Sequence, residues 1–502
     1  MSTPARAHLG RATLGRVPPA LRGPLEPGAL SIGVVHLGLG AFHRAHQLSF
    51  LEDAAIATGD LGWGVSSYSE RSPAASELLA AQDGLFSLRE AAPGRPERIR
   101  VIASLREARF APGDPVLIER LADPAVGLVT LTVTEEGYRH DPATRRLRET
   151  DAELLADAAG RPPVSVVGQL VRGLEARHAS EAPLTICSCD NLPENGHLLE
   201  GLVREFCALP GARVAPGLAE FINEQVRFPC SMVDRIVPAQ TSETRAAAAA
   251  ALGLEDAAAL ATEPFSVWVL EDNFAGARPA LERAGVQIVG DVAPHEELKL
   301  RVLNGAHSAL AYLGLLAGDE KVETTVARPA AAAFVRALVT EEVVPTLDAP
   351  AGVDVAAYCD MALERFANPL LAYRNAQVAG DGSNKLPARL LGTVRRCLSV
   401  GIAPRRSILV VAAFLRCVQR GRSEDGRPFT VADPRAVALR PPAGEEATPE
   451  QCADNALSHP EVFGADLCGD PLFRRLLLES LSALAAHPTL EVISDGRASP
   501  QG

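Results

Sequence analysis

Lysine is almost missing from this chain: of 49 Lys and Arg residues only Lys299, Lys321 and Lys385 are lysines. Other things are scarce as well, and each shortage excludes something. Positive charge does not dominate. The net charge of −13 and a pI near 5.4 argue against nucleic acid or an anionic membrane surface as partner, since both need a basic footprint. The nine cysteines are odd in number and contain no CxxC pair, so neither a zinc ribbon nor a disulfide framework is expected. No Cys, His and carboxylate cluster with metal-ligand spacing is evident, and no metal is expected. No apolar run reaches membrane-spanning length without a charge. Residues 1 to 30 carry Arg, Pro and Gly rather than an apolar signal segment, so the reducing cytoplasm is the expected compartment.

What is there begins with an arm, residues 1–29, punctuated by Pro18, Pro19, Pro24 and Pro27. SIGVVHLGLGAFHRAHQLSFLEDAAIATG then reads as an apolar strand, a glycine turn and a helix to about Thr58. GWGVSSY, GLVTLTVTEEGY and APLTICSCDNLPENGHLLEGLVREFCAL continue the alternation of strands and helices. That pattern predicts a doubly wound parallel sheet, an α/β Rossmann-like domain over residues 30–290 whose ligands gather at the carboxyl ends of its strands. Beyond a boundary between Gln287 and Glu296 the strand signals fade. Long helical segments such as SILVVAAFLRCVQRG predict a mainly α-helical domain over 291–495.

HLGLGAF places Gly38 and Gly40 after a strand and before a helix, with Ala41 and Phe42 opening that helix. Backbone amides can hold a pyrophosphate there. His43 stands where a third glycine is usual, which weakens the motif. Glu70, after GWGVSSYS, sits where a carboxylate would bind ribose hydroxyls, and Arg71 beside it favours a 2′-phosphate. NAD and NADP therefore both remain open. His43, Arg44 and His46 read either as structural residues or as cofactor contacts, and Asp234 with Arg235 as a buried pair.

The lysines matter because a guanidinium stays protonated in any protein environment, whereas a buried ammonium can release its proton near neutral pH. Drawn at about 100° per residue, Leu298, Val302, Leu303, Ala306, Ala309, Leu310 and Leu313 share one apolar arc that contains Lys299. Asn304 and His307, three apart, flank it. Such a helix has the look of a site wall; chance survival of a surface lysine is the bland alternative.

Seven motifs in order, GLGAFHRAHQ, TVTEEGY, SCDNLPENGH, MVDRIVPA, EPFSVWVLEDNF, KLRVLNGAH and DGSNKLPARLL, resemble the mannitol dehydrogenase family of polyol-specific long-chain dehydrogenases, over about residues 32 to 435. The resemblance implies a zinc-independent, NAD(P)-dependent oxidoreductase acting on a small sugar acid or polyol. It also implies roles residue by residue. Lys299 is the general acid or base, and Asn191 and Asn304 donate to the reacting oxygen. His307 completes the motif, and Glu296 is either a proton conduit or an ordinary ion-pair partner of Lys299. Lys385 is expected to touch substrate.

Within the family the choice lies between mannitol and fructose, on one side, and mannonate and fructuronate on the other. Other polyols, such as arabinitol, and tagaturonate are further alternatives. Gln377 stands where mannitol 2-dehydrogenases carry an Arg, so the sugar acid is the leading expectation. A catalytically silent sugar or dinucleotide sensor would lack the Lys or the asparagines, and they are present.

Overall fold

The computed structural model describes residues 6–494; the first five residues of the arm and residue 495 of the helical domain lie outside them. The chain divides into two compact units, Met1–Ala293 and Pro294–Gly502.

In the first unit six strands form one parallel sheet: β1 (Ile32–Leu37), β2 (Gly64–Ser69), β3 (Leu105–Phe110), β4 (Leu128–Leu131), β5 (Leu184–Ser188) and β6 (Val226–Arg227). Their spatial order is β3-β2-β1-β4-β5-β6. The order reverses direction beside β1, which is the switch point where doubly wound sheets bind ligands. Both faces of the sheet's centre are covered, so β1 and β4 are mainly apolar rather than alternating, whereas the edge strand β3 carries Arg106, Glu107 and Arg109. Successive β1 residues serve opposite layers: Val34 packs with Leu48 and Leu51 of one helix, while Val35 and Leu37 pack with Leu170, Val171 and Leu199 on the other side.

The sheet agrees with the parallel pattern expected, but three small sheets accompany it. Phe86–Glu90 pairs antiparallel with Arg98–Ile102, and Ser231–Asp234 pairs antiparallel with Val267–Glu271. These strands are only four or five residues long, and the first pair interleaves polar with apolar residues, a weak signal beside the buried run of β4. Within the arm, Leu9 and Val17 are buried against Leu85, Val101, Leu252 and Leu254.

Among its described residues the second unit contains helices and isolated bridges but no strand. Its core surrounds two helices, Gly305–Ala317 and Arg405–Arg420, which are buried nearly all round. Three segments, Lys299–Asn304, Val339–Val343 and Pro387–Leu391, are π-helical. Such wide turns are uncommon and mark places where extra residues have been fitted into a helix, frequently at functional sites. The first packs against the other two.

Candidate active site

In the first unit the carboxyl ends of β1, β2 and β5 carry the predicted residues. Gly38 follows β1 with φ +104°, and a Cβ there would lie 2.1 Å from the Thr132 carbonyl oxygen, so glycine is required. The amides of Gly38 and Leu39 both donate to the Tyr68 carbonyl at the end of β2, 2.8 and 2.9 Å. Gly40 is exposed and begins the short helix Ala41–Ala45, in which Ala41 and Phe42 are half-buried.

His43 takes the missing glycine's place for a packing reason. Its ring stacks on His36 with 3.3 Å between centroids, and its Nε2 is 2.9 Å from Ser67 Oγ. His36 lies 2.8 Å from Thr130 Oγ1 and 3.0 Å from Thr132 Oγ1. Burial pushes the His36 pKa down to about 3 and that of His43 well below its ordinary value, so this pair is neutral. Arg44 donates to the Ala258 carbonyl at 2.6 Å, and His46 Nε2 is 2.9 Å from the Val267 carbonyl. Both tie this part of the chain to segments far along the sequence, which favours their structural reading. Arg235 is buried, but its ion-pair partner is Glu90.

Glu70 follows β2. Gln169 Nε2 donates to its Oε2 at 3.2 Å, while its Oε1 is buried without a hydrogen-bond partner. Burial raises its pKa to about 7, against the bond from Gln169. An unsatisfied carboxylate oxygen at the end of the second strand fits the hydroxyls of a ribose. Arg71 is exposed, and its guanidinium donates to Thr134 Oγ1 at 2.6 Å.

Asn191 is exposed just beyond β5. The preceding Asp190, which the sequence reading passed over, sets its loop. The Asp190 carboxylate accepts from the amides of Val133 and Thr134, 3.0 and 2.8 Å, and from the Tyr138 hydroxyl, 2.7 Å. Burial raises the Asp190 pKa and these bonds lower it. Its signal in the sequence is its place within SCDNLPENGH, immediately before Asn191.

In the second unit Lys299, 8% exposed, opens the π-helical segment and Asn304, also 8% exposed, ends it. The uniform 100° wheel is thereby corrected: the wide turn rephases the helix, and Asn304 does not merely flank the arc. Arg301 fixes the turn from behind, donating to Thr393 Oγ1 at 2.9 Å, to the Thr346 carbonyl at 2.7 Å and to Glu297 at 2.9 Å. Arg389, from the third π segment, donates to Ser308 Oγ at 3.0 Å and lies 3.5 Å from the Asn304 carbonyl. His307 is half-buried, with its ring stacked on Phe366 at 4.4 Å and edge-on to Tyr373. Glu296 is half-buried in the helix Ala293–Leu298.

Lys385 is half-buried and donates to the Gly380 carbonyl at 2.6 Å; burial first, then Arg389, lowers its pKa. Gln377 is exposed on the adjoining helix Asn375–Ala379. Arg389, not singled out beforehand although DGSNKLPARLL contains it, is the positive charge beside Lys385.

The sequence shows no Cys, His and carboxylate cluster, yet the first unit brings His197, Cys230 and Glu271 together, with one ligand atom of each within 4.8 Å of the others. Their separation along the chain hides this from any spacing rule.

The parallel 3-2-1-4-5-6 sheet with its glycine turn defines a dinucleotide-binding type of domain, here joined to a helical one. The models of the mannitol dehydrogenase Rossmann domain and the mannitol dehydrogenase C-terminal domain match residues 32–283 and 291–485. The chain belongs to the mannitol dehydrogenase family. It is 41% identical over 424 residues to the D-mannonate oxidoreductase of Escherichia coli (strain K12), covering 83% of this chain and 86% of that one. Among solved structures it resembles a D-sorbitol dehydrogenase in substrate-free form, with TM-score 0.87 and 30% identity over 97% of this chain and all of that one. The Pseudomonas fluorescens mannitol 2-dehydrogenase in ternary complex with NAD and D-mannitol gives TM-score 0.83 and 32% identity, over 98% and 100% of the two chains.

Proposed function

We propose that this protein is an NAD-dependent oxidoreductase that interconverts a secondary alcohol of a sugar acid and the corresponding ketone, with D-mannonate and D-fructuronate as the leading pair. The observation that carries the reading is a buried Lys299 joined to Asn304 by one π-helical turn, in a chain that otherwise writes its positive charges as Arg.

Gly38, Gly40, Ala41 and Phe42 would hold the cofactor's phosphates, and Glu70 its ribose. The unpartnered Glu70 Oε1 supports that fit. The cofactor supplies a hydride acceptor or donor. Arg71, close to the same strand end, is consistent with some use of NADP.

In the oxidative direction Lys299, as the free amine, takes the hydroxyl proton while hydride departs from the same carbon. In reduction its ammonium returns that proton to the alkoxide. Asn304 and Asn191 donate to the oxygen as it gains charge, an effect worth roughly 3 kcal/mol for each such donor. His307, held against Phe366, orients the substrate, and Glu296 passes the proton of Lys299 toward water.

Lys385 and Arg389 favour an acid over a neutral polyol. Burial and then Arg389 lower the pKa of Lys385, while Asp381 and Asp433 raise it, and a substrate carboxylate would stabilise both cations. The 41% identity to a mannonate oxidoreductase points the same way. The test is NADH oxidation assayed in parallel with fructuronate, tagaturonate, fructose and xylulose. Fructuronate should give the highest kcat/KM; a preference for fructose would return the assignment to mannitol.

A further inference from the structure

We propose that His197, Cys230 and Glu271 form a binding site for a thiophilic divalent cation of the zinc class, separate from the hydride-transfer residues and dispensable for turnover. The three donors come from three elements of the first unit: the third residue of the helix Asn195–Cys207, the residue before the strand Ser231–Asp234, and the last residue of the strand Val267–Glu271. A ring nitrogen, a thiol sulfur and a carboxylate oxygen form a donor set that suits zinc, whose catalytic-type sites take three protein ligands and leave a fourth position to water.

The backbone around these donors is preorganised. Cys230 and Glu271 extend the antiparallel pairing of the two strands: the Glu271 amide donates to the Cys230 carbonyl at 3.0 Å, and the Cys230 amide donates to Glu271 Oε2 at 2.9 Å. Accepting that bond with one oxygen leaves the second carboxylate oxygen to a cation. The helix that bears His197 is clamped to the same strand. Asn195 Nδ2 donates to the Ser231 carbonyl at 2.9 Å, and the Ser231 amide donates to Asn195 Oδ1 at 2.9 Å. Gly196 allows this close approach, because a Cβ there would lie 2.4 Å from the Phe228 carbonyl oxygen. Helix and strand therefore cannot drift apart without breaking a paired amide contact.

Access and spacing also fit. Cys230 is buried, Glu271 is half-buried and His197 is exposed, so the cluster opens to water on the histidine side. Zinc bonds of about 2.0–2.3 Å place tetrahedral ligands roughly 3.5 Å apart. The three donor atoms already lie within 4.8 Å of one another, so side-chain adjustments of about 1 Å bring them to that spacing. Binding would release the thiol proton of Cys230 to solvent, with no change of oxidation state.

The test titrates the full chain, stripped by chelator, with Co²⁺ alone and then with Zn²⁺. One Co²⁺ per chain should bind with a thiolate-to-cobalt charge-transfer absorption that Zn²⁺ displaces. Cys230→Ser should abolish that absorption, and His197→Ala and Glu271→Gln should each weaken binding at least about tenfold. Cys468→Ser, a thiol outside the cluster, should leave it intact. His197 is exposed, so His197→Ala is informative even if Cys230→Ser fails to fold: unchanged Co²⁺ affinity in that variant overturns the proposal, as does a band that survives Cys230→Ser. Turnover should be equal before and after chelation. Activity lost to chelator and restored by Zn²⁺ would instead make the cation catalytic and overturn its dispensability.

Discussion

Lys299 and Asn304 are the first and last residues of one π-helical segment. In an α-helix two residues five apart point about 140° away from each other. In a π-helix, whose hydrogen bonds run from i to i+5, they lie one turn apart on the same side. The wide turn therefore places Lys299 and Asn304 on the same side of the helix, and Arg301 and Arg389 bond to the segment and its flank.

If Lys299 must exchange a proton, Lys299→Arg should keep its charge and lose turnover. The expected fall in kcat is about 10²- to 10⁴-fold, with NADH affinity by fluorescence titration nearly unchanged. Lys321, exposed and paired with Glu323, is the control, and Lys321→Arg should be near neutral. A Lys299→Arg enzyme within a few fold of wild type across pH would remove Lys299 from the mechanism.

The two turn glycines should respond differently. Gly38→Ala drives a Cβ into the Thr132 carbonyl at a left-handed φ, and should cost at least about 2 kcal/mol of stability, read as a lower Tm. Gly40 has a negative φ, and a Cβ there would meet nothing nearer than the Gly38 carbonyl oxygen at 3.7 Å. Gly40→Ala should therefore leave Tm alone and weaken NADH binding. Unaltered NADH affinity in Gly40→Ala would show that no phosphate approaches this turn.

Glu70 should make cofactor binding depend on pH. Its pKa is raised to about 7 in the unliganded protein, and ribose hydroxyls donate best to the ionised carboxylate. NADH affinity should therefore increase as pH rises through about 7, and Glu70→Gln should flatten the profile. Glu70→Ser should raise the use of NADP relative to NAD, because a carboxylate repels a 2′-phosphate. An unchanged ratio of kcat/KM for the two cofactors would place Glu70 away from the ribose.

The stacked pair His36 and His43 makes a separate prediction about stability. Both folded-state pKa values are lowered, that of His36 to about 3, so the folded form excludes protons that the unfolded chain binds near 6.5. Their contribution is complete above about 6.5 and is lost as pH falls below it toward 3. Chemical denaturation of wild type against His43→Gln over pH 7 to 4 tests this. The variant should be less stable at pH 7 and show a shallower acid loss; equal slopes would argue that the pair does not set acid sensitivity.

The alternation of apolar strands and helices, with glycines after the first strand, was legible because those features are local. Buried parallel strands such as β4 are rich in apolar residues, and a turn with a Cβ-excluding contact must be glycine. The helical second half was legible for the same reason, from long periodic segments. Lys299, Asn304 and Glu70 stood out through composition, spacing and position along the chain.

The rest depended on residues far apart in sequence. Arg301 and Arg389 tie the π-helical turn and its flank to distant segments, which no helical wheel encodes. His43 in a glycine's place is explained only by the ring of His36 beneath it. Asp190 matters because it gathers the amides of Val133 and Thr134, and His197, Cys230 and Glu271 meet only after a helix and two strands have paired. Sequence by itself determined which segments form strands, turns and helices, since those choices are settled by local periodicity and backbone sterics. Tertiary structure alone decided which side chains meet, since that depends on hydrogen bonds and close approaches between segments with no fixed spacing along the chain.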